Sequence, residues 1–191
     1  MKRLILIIFL SPILITNAFG QVDRSGFTFG IGIGAGYSKH ADSYSAVQES
    51  IYSTIEDFSG FRILAVDLKA GWGFAQRAQA FYTLKYTLPN STISPYRSFY
   101  QGLVITYSLK SLEKLIYGLG AGINKAGDKQ GKISQGTIGN LLLGYEFNPH
   151  FLMEVNTLFG KMDNTPPQDT YLESSNEFSF VVTFNYLFYK N

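Results

Sequence analysis

Over most of the chain, apolar side chains fall on every second position. The clearest case is residues 178–188, F-S-F-V-V-T-F-N-Y-L-F. Phe178, Phe180, Val182, Phe184, Tyr186 and Phe188 share one face, and Ser179, Val181, Thr183, Asn185 and Leu187 share the other. A period of two predicts a β-strand with one strongly apolar face. Seven earlier segments repeat the pattern, at 27–37, 63–74, 79–88, 98–107, 115–124, 135–147 and 151–159. Gln101 interrupts the apolar face of the fourth. In the first and fifth, the second face is mostly glycine: Gly30, Gly32, Gly34 and Gly36, then Gly118, Gly120 and Gly122.

The connections alternate in length. Short ones lie near 75–78, 108–114 and 148–150, and longer ones at 38–62, 89–97, 125–134 and 160–177. Each predicted strand is about 10 residues, or roughly 33 Å at 3.3 Å per residue. Tilted near 45°, it rises roughly 23 Å, close to the apolar band of about 25 Å on membrane barrels. The pattern therefore predicts an all-β fold: an eight-stranded antiparallel up-and-down transmembrane β-barrel. The 178–188 strand closes it by pairing with 27–37. Within the longest connection, Ile51, Ile55 and Phe58 have helical spacing, which predicts a short amphipathic helix over 46–58.

Residues 1–20 read differently. Lys2 and Arg3 precede an apolar run at 4–15, a polar break at Thr16-Asn17 and the small-residue pattern Ala18-Phe19-Gly20. These are the three parts of a cleavable signal peptide, with cleavage expected after Gly20. The run is too short for a spanning helix, which needs about 20 residues. The expected organisation is a leader at 1–20 and a barrel domain at 21–191.

Composition adds weight to the β reading, with 13 Tyr, 16 Phe and 19 Gly in 191 residues. The whole chain carries 16 basic and 14 acidic residues. Two of the basic ones belong to the leader, so the remainder is formally neutral and offers no electrostatic case for nucleic acid. With no Cys, there is no disulfide framework and no lipid-modified Cys anchor.

The main rival is a secreted lipocalin-like barrel with its apolar faces turned inward around a ligand. Side-chain bulk opposes it. An eight-stranded barrel is just wide enough to be filled by side chains, and the packed interior of a TIM barrel takes only about 12. The apolar faces here hold far more. With the apolar faces outward, the glycine faces leave internal room for Lys69, Lys85, Glu146 and Glu154. Together with Asp67 these are nearly balanced in charge, as buried ions require.

On these features the chain resembles the small eight-stranded outer-membrane barrels of the OmpX/OmpW/OmpA-barrel type, the porin-family outer membrane proteins. The resemblance covers 21–191 and rests on the alternating strands, the loop rhythm, the leader and the aromatic last strand. It implies residence in the cell outer membrane, with lipid and lipopolysaccharide as neighbours and the barrel-assembly machinery as a biogenesis partner. Family members typically end on an aromatic residue read by that machinery, whereas here Phe188-Tyr189 is followed by Lys190-Asn191.

Candidate chemistry is sparse. His40, Asp42 and Ser43 lie within four residues, but a catalytic triad is assembled from separate segments. His150 sits in the Asn148-Pro149-His150 turn. Barrel lipid A deacylases resemble one another in a His-x-Ser pattern, and here His150 is followed by Phe151-Leu152. The acyltransferase type draws His, Asp and Ser from the outer loops, and 89–97 offers Ser91 and Ser94 without an Asp. Two His and no Cys disfavour a transition-metal site. Loop acids (Asp42, Glu49, Glu56, Asp57, Asp163, Asp169 and Glu173) suit a solvated surface better than a Ca²⁺ site. The 127–131 segment is a turn and not a phosphate loop, since no helix follows it.

No catalytic, cofactor or metal residue is expected. The functional expectation is a non-enzymatic barrel serving envelope structure, adhesion or surface interaction through its loops. Alternatives are narrow-channel transport of small hydrophobic molecules, lipid A modification, and the lipocalin-like reading. A wide pore is not expected, since aqueous channels belong to barrels of about 16–18 strands.

Overall fold

The computed structural model describes residues 25–44, 57–75, 77–88, 97–108, 112, 114–127, 133–165 and 172–189. Eight strands run in order: β1 (Gly26–Tyr44), β2 (Asp57–Ala75), β3 (Ala78–Leu88), β4 (Arg97–Ser108), β5 (Leu115–Gly127), β6 (Ile133–Asn148), β7 (Phe151–Thr165) and β8 (Leu172–Tyr189). They form one closed antiparallel barrel in sequence order. β1 closes against β8 in a ladder running from Thr28↔Tyr189 to Tyr44↔Leu172. Every described strand thus has a neighbour on each side, which is what a membrane-spanning sheet requires. The expected leader at 1–20 lies outside the described residues.

The facing follows the sequence parity. Outward residues include Ile33, Trp72, Leu103, Leu119 and Phe184, each more than half exposed. Glycine, polar and charged residues alternate with them on the inner face. A belt of exposed Phe, Leu, Ile, Tyr and Trp around the whole barrel suits lipid and not water. Gln101 is on this outer face and accepts a hydrogen bond from Tyr82 Oη at 3.3 Å, which accounts for a polar group there.

The strands are longer than their sequence signal. β1, β2 and β8 have 19, 19 and 18 residues, against 16 and 15 for β6 and β7 and 11, 12 and 13 for β3, β4 and β5. The longest connections therefore shrink: 38–44 and 57–62 are strand rather than loop, as are 160–165 and 172–177. At about 3.3 Å per residue, a 19-residue strand tilted near 45° rises roughly 44 Å, well beyond a 25 Å apolar band. The barrel thus has one tall wall, β8-β1-β2, whose extra length lies at the long-loop end. There the β2–β3 ladder begins only at Leu64↔Leu88, so β2 continues over 57–63 beside β1 with no described strand on its other side.

The expected helix over 46–58 is corrected at its end. Asp57 and Phe58 belong to β2, where Phe58 pairs with His40. The remainder of that expectation lies outside the described residues.

Candidate functional site

The inner face is layered. Toward the long loops lies an apolar cluster of Tyr100, Ala126, Ile138, Leu158 and Met162. Toward the short turns lies another, of Val104, Ile116, Leu142, Leu152 and Leu187, with Tyr189 against it. Between them sits a charged layer. The inner face is thus partly apolar, beyond the polar and glycine face expected from alternation. Leu142, Leu152 and Leu158 have inward parity, but a leucine at an inward position looks no different in sequence from one facing lipid.

The charged layer brings together four of the five residues singled out from the sequence. Lys69 Nζ lies 2.5 Å from Glu154 Oε1 and 3.3 Å from Asp67 Oδ2. Lys85 Nζ lies 2.6 Å from Asp67 Oδ2 and 3.9 Å from Glu154 Oε2. Two cations and two carboxylates thus alternate in a ring that ties β2 and β3 to β7 across the lumen. All four side chains are at most 3% exposed. Thr83 donates to Asp67 Oδ1 at 2.9 Å, and Asn185 Nδ2 donates to Glu154 Oε2 at 3.3 Å. Glu146 is also buried but sits nearer the turns, opposite Leu152 in a register that puts Glu154 opposite Gly144.

The glycines of β1 make space for this ring. A Cβ at Gly30 would stand 2.7 Å from Lys69 Cγ, and one at Gly32 would stand 2.1 Å from Asn185 Oδ1. Lys69 and Asn185 approach so closely only because β1 has no side chain at those positions. Thr83, Asn156 and Asn185 were not singled out from the sequence. Their signal was parity, two residues from Lys85, two from Glu154, and on the inner face of β8.

A cavity of about 10 Å³ lies beside the ring, lined by Lys69, Phe81, Thr83, Lys85, Val104, Leu142, Glu154 and Asn156. That is room for roughly one water. The ring and the two apolar clusters fill the barrel at mid-height.

At the turn end, Asn148 Oδ1 accepts hydrogen bonds from the backbone N–H groups of His150 (2.9 Å) and Phe151 (3.0 Å), closing the β6–β7 turn. The turn is docked on β8. Leu187 N–H donates to His150 O at 2.7 Å, and His150 Nδ1 lies 2.9 Å from Leu187 O. A carbonyl only accepts, so Nδ1 carries the proton. The His150 ring stacks on Tyr186, with centroids 5.6 Å apart, and Tyr186 meets Phe151 and Phe188 edge to face. His150 is a turn residue that buttresses the last strand within an aromatic girdle.

His40, Asp42 and Ser43 lie in β1, laddered to Glu177, Ser175 and Ser174 of β8, and not in a loop as expected. Asp57, Asp163 and Glu173 are likewise in strands. Ser91, Ser94, Glu49, Glu56, Asp169 and the 128–131 turn lie outside the described residues. Among the described residues no three His, Cys, Asp or Glu are grouped to hold a metal ion.

At the loop end, the outward parity of several strands continues into cations. The first outward residues past the apolar run are Lys39 on β1, Arg97 on β4, Lys125 on β5 and Lys161 on β7, all exposed. Sequence reading ended these strands before the cations and so missed them as surface positions.

No protein-family model matches the chain. No curated protein matches it. Solved structures do. Ail, the attachment invasion locus protein of Yersinia pestis, in complex with the heparin analogue sucrose octasulfate, is similar at a TM-score of 0.52 and 12% identity, covering 86% of this chain and 99% of that one. The outer membrane protein AlkL in lipid bilayers is similar at a TM-score of 0.51 and 11% identity, covering 91% and 95%. Barrel closure, strand number, outward apolar belt and these likenesses agree that the chain has the fold of the small eight-stranded outer-membrane β-barrels.

Proposed function

We propose that this chain, after removal of a leader at 1–20, is a non-enzymatic outer-membrane barrel. Its role is to present the tall β8-β1-β2 wall and the loops above it to partners outside the cell. The observation that carries this reading is the contrast between the two parts of the barrel. The lumen is filled at mid-height by the Asp67–Lys69–Lys85–Glu154 ring and its flanking apolar clusters. The wall, in contrast, rises well past the membrane at one end. A filled lumen supports surface interaction over transport along the barrel axis. Ail, named for attachment and solved with a heparin analogue, shares the fold, which is compatible with such a role.

Orientation and activity are tested separately. The chain has no native Cys, so Ser53→Cys and Gln76→Cys report the loop and turn ends cleanly. A membrane-impermeant maleimide should label Ser53→Cys and spare Gln76→Cys on intact cells, and the reverse result sinks the orientation. In planar bilayers the purified barrel should show no sustained conductance steps. Scrambling 45–56 and 166–171 should abolish binding to host-cell glycans and surface proteins on arrays while leaving the heat-dependent gel shift intact. Stable conductance, or binding unaffected by the scrambled loops, rules the reading out.

A further inference from the structure

The charged ring has one open side. Lys85 Nζ and Glu154 Oε2 stand 3.9 Å apart, too far for a hydrogen bond. The ring's other three contacts between lysine and carboxylate lie at 2.5, 2.6 and 3.3 Å. Lys85 Nζ carries three donors, and Asp67 Oδ2 takes one of them. Among the described residues, Glu154 Oε2 accepts one long hydrogen bond, from Asn185 Nδ2 at 3.3 Å. Spare donors and a spare acceptor thus face each other across the gap.

Asn156 borders the same gap. It is fully buried, and neither its Oδ1 nor its Nδ2 has a hydrogen-bond partner among the described residues. Native interiors pair such groups with protein or with ordered water, because a buried amide left alone keeps its whole desolvation cost. Other buried amides have polar side chains within reach. Asn140 and Tyr100 Oη are also unpartnered but face each other, and Asn185 Nδ2 bonds Glu154 and Thr183. Asn156 has apolar neighbours across both ladders, Leu142 on β6 and Val181 on β8. Its polar outlet is the cavity of about 10 Å³ that it lines together with Lys69, Lys85, Thr83 and Glu154. The chemistry of those walls selects an occupant. The two ammonium groups repel a cation and the carboxylate repels an anion. The volume admits one molecule of the size of water.

We propose that this cavity is a binding site for one ordered water, which accepts a hydrogen bond from Lys85 Nζ and donates to Glu154 Oε2 and to Asn156 Oδ1. Water is neutral and both donates and accepts, so it suits all three neighbours at once, and three bonds are what a buried water typically makes. Bridging polar groups more than 3.5 Å apart is a usual role of such water. The water closes the ring into a continuous hydrogen-bonded belt joining β2, β3 and β7, and it satisfies Asn156. The seal at mid-height is then a five-membered unit of four charged side chains and one water.

The test uses the purified barrel in lipid nanodiscs, deuterated except at Leu and Val methyl groups. Val104 and Leu142 line the cavity, whereas Leu158 lies in the apolar cluster toward the loops. Laboratory-frame and rotating-frame Overhauser spectra should show cross-peaks from water to the Val104 and Leu142 methyls and none to Leu158. Asn156→Leu fills the cavity, and Asn156→Val removes the amide with less added bulk. Each should abolish the cross-peaks, and retention of the heat-dependent gel shift establishes that the variant is folded. Absence of the cross-peaks in the wild type overturns the site. So do cross-peaks that persist undiminished in a folded variant, since they then arise from the Thr83 hydroxyl or the Lys85 ammonium protons. Wild-type crystals grown with rubidium bromide supply an independent readout. Density for one water between Lys85, Glu154 and Asn156 is expected, and an anomalous peak there shows an ion and overturns water as the occupant.

Discussion

Removing one carboxylate from the internal ring should cost more than removing a carboxylate and a cation together. In the native barrel Lys69 and Lys85 face Asp67 and Glu154, and the ring is neutral. Glu154→Gln keeps the side-chain shape but leaves two buried cations against Asp67 alone. At 2.5 Å and an effective dielectric constant near 20, the lost Lys69–Glu154 attraction is roughly 7 kcal/mol before solvation is considered. Breaking a buried pair from one side costs a net of about 3–5 kcal/mol, because the abandoned charge stays buried. Lys69→Met alone leaves the opposite excess and should cost about as much. The double variant is neutral again and retains Lys85 on Asp67 at 2.6 Å.

The two losses should therefore fail to add, with the double variant at least about 2 kcal/mol more stable than their sum. Urea unfolding in lipid vesicles measures this. Trp72, the single tryptophan, is 59% exposed on the lipid face, so its emission should shift to the red as the barrel leaves the bilayer. Additivity within about 0.5 kcal/mol would refute the ring as a coupled unit.

Three further substitutions test the facing, the glycine face and the turn. Phe184→Arg puts a charge at a position 56% exposed on the lipid face and should destabilise by about 2–4 kcal/mol near the midplane. A loss below about 0.5 kcal/mol in the same urea assay would mean the position does not face lipid. Gly32→Val drives a Cβ to within 2.1 Å of Asn185 Oδ1 and should cost about 1–3 kcal/mol by overpacking, whereas Ala121→Val on the outer face should be nearly neutral when both are compared by gel-shift temperature. Asn148→Ala removes two side-chain hydrogen bonds from the β6–β7 turn and should cost about 1–2 kcal/mol; an unchanged urea midpoint would argue against the turn as a fixed support for β8.

Period-two alternation made the strands legible because inward and outward environments differ so sharply in a lipid-embedded barrel. Phe178 to Phe188 could be assigned a direction from composition alone, since a narrow lumen cannot hold that much bulk. The same parity exposed Asp67, Lys69, Lys85 and Glu154 as inward charges, and neutrality argued that they would meet. Strand ends were less legible. Past the apolar belt the outward positions turn polar (Lys39, Lys161, Asp163 and Asn176) like many of the inward ones (Ser38, Ser174 and Glu177), so the alternation fades, and 38–44, 57–62, 160–165 and 172–177 read as loop although backbone pairing continues through them. His40, Asp42 and Ser43 were placed in a loop for that reason.

Sequence by itself determined the fold class, the strand number, the closure of β8 on β1 and which face meets lipid. All of these follow from the period of the side chains and from the rule that no backbone group stays unpaired in a bilayer. Only the tertiary structure decided which inward residues touch. Lys69 reaches Glu154 across 85 positions of chain because closure and register bring β2 and β7 face to face and glycines on β1 clear the way. It also decided that the lumen is filled at mid-height and that one wall outgrows the other. Those features depend on the register between neighbouring strands, and one strand's alternation carries no information about how far its neighbour slides.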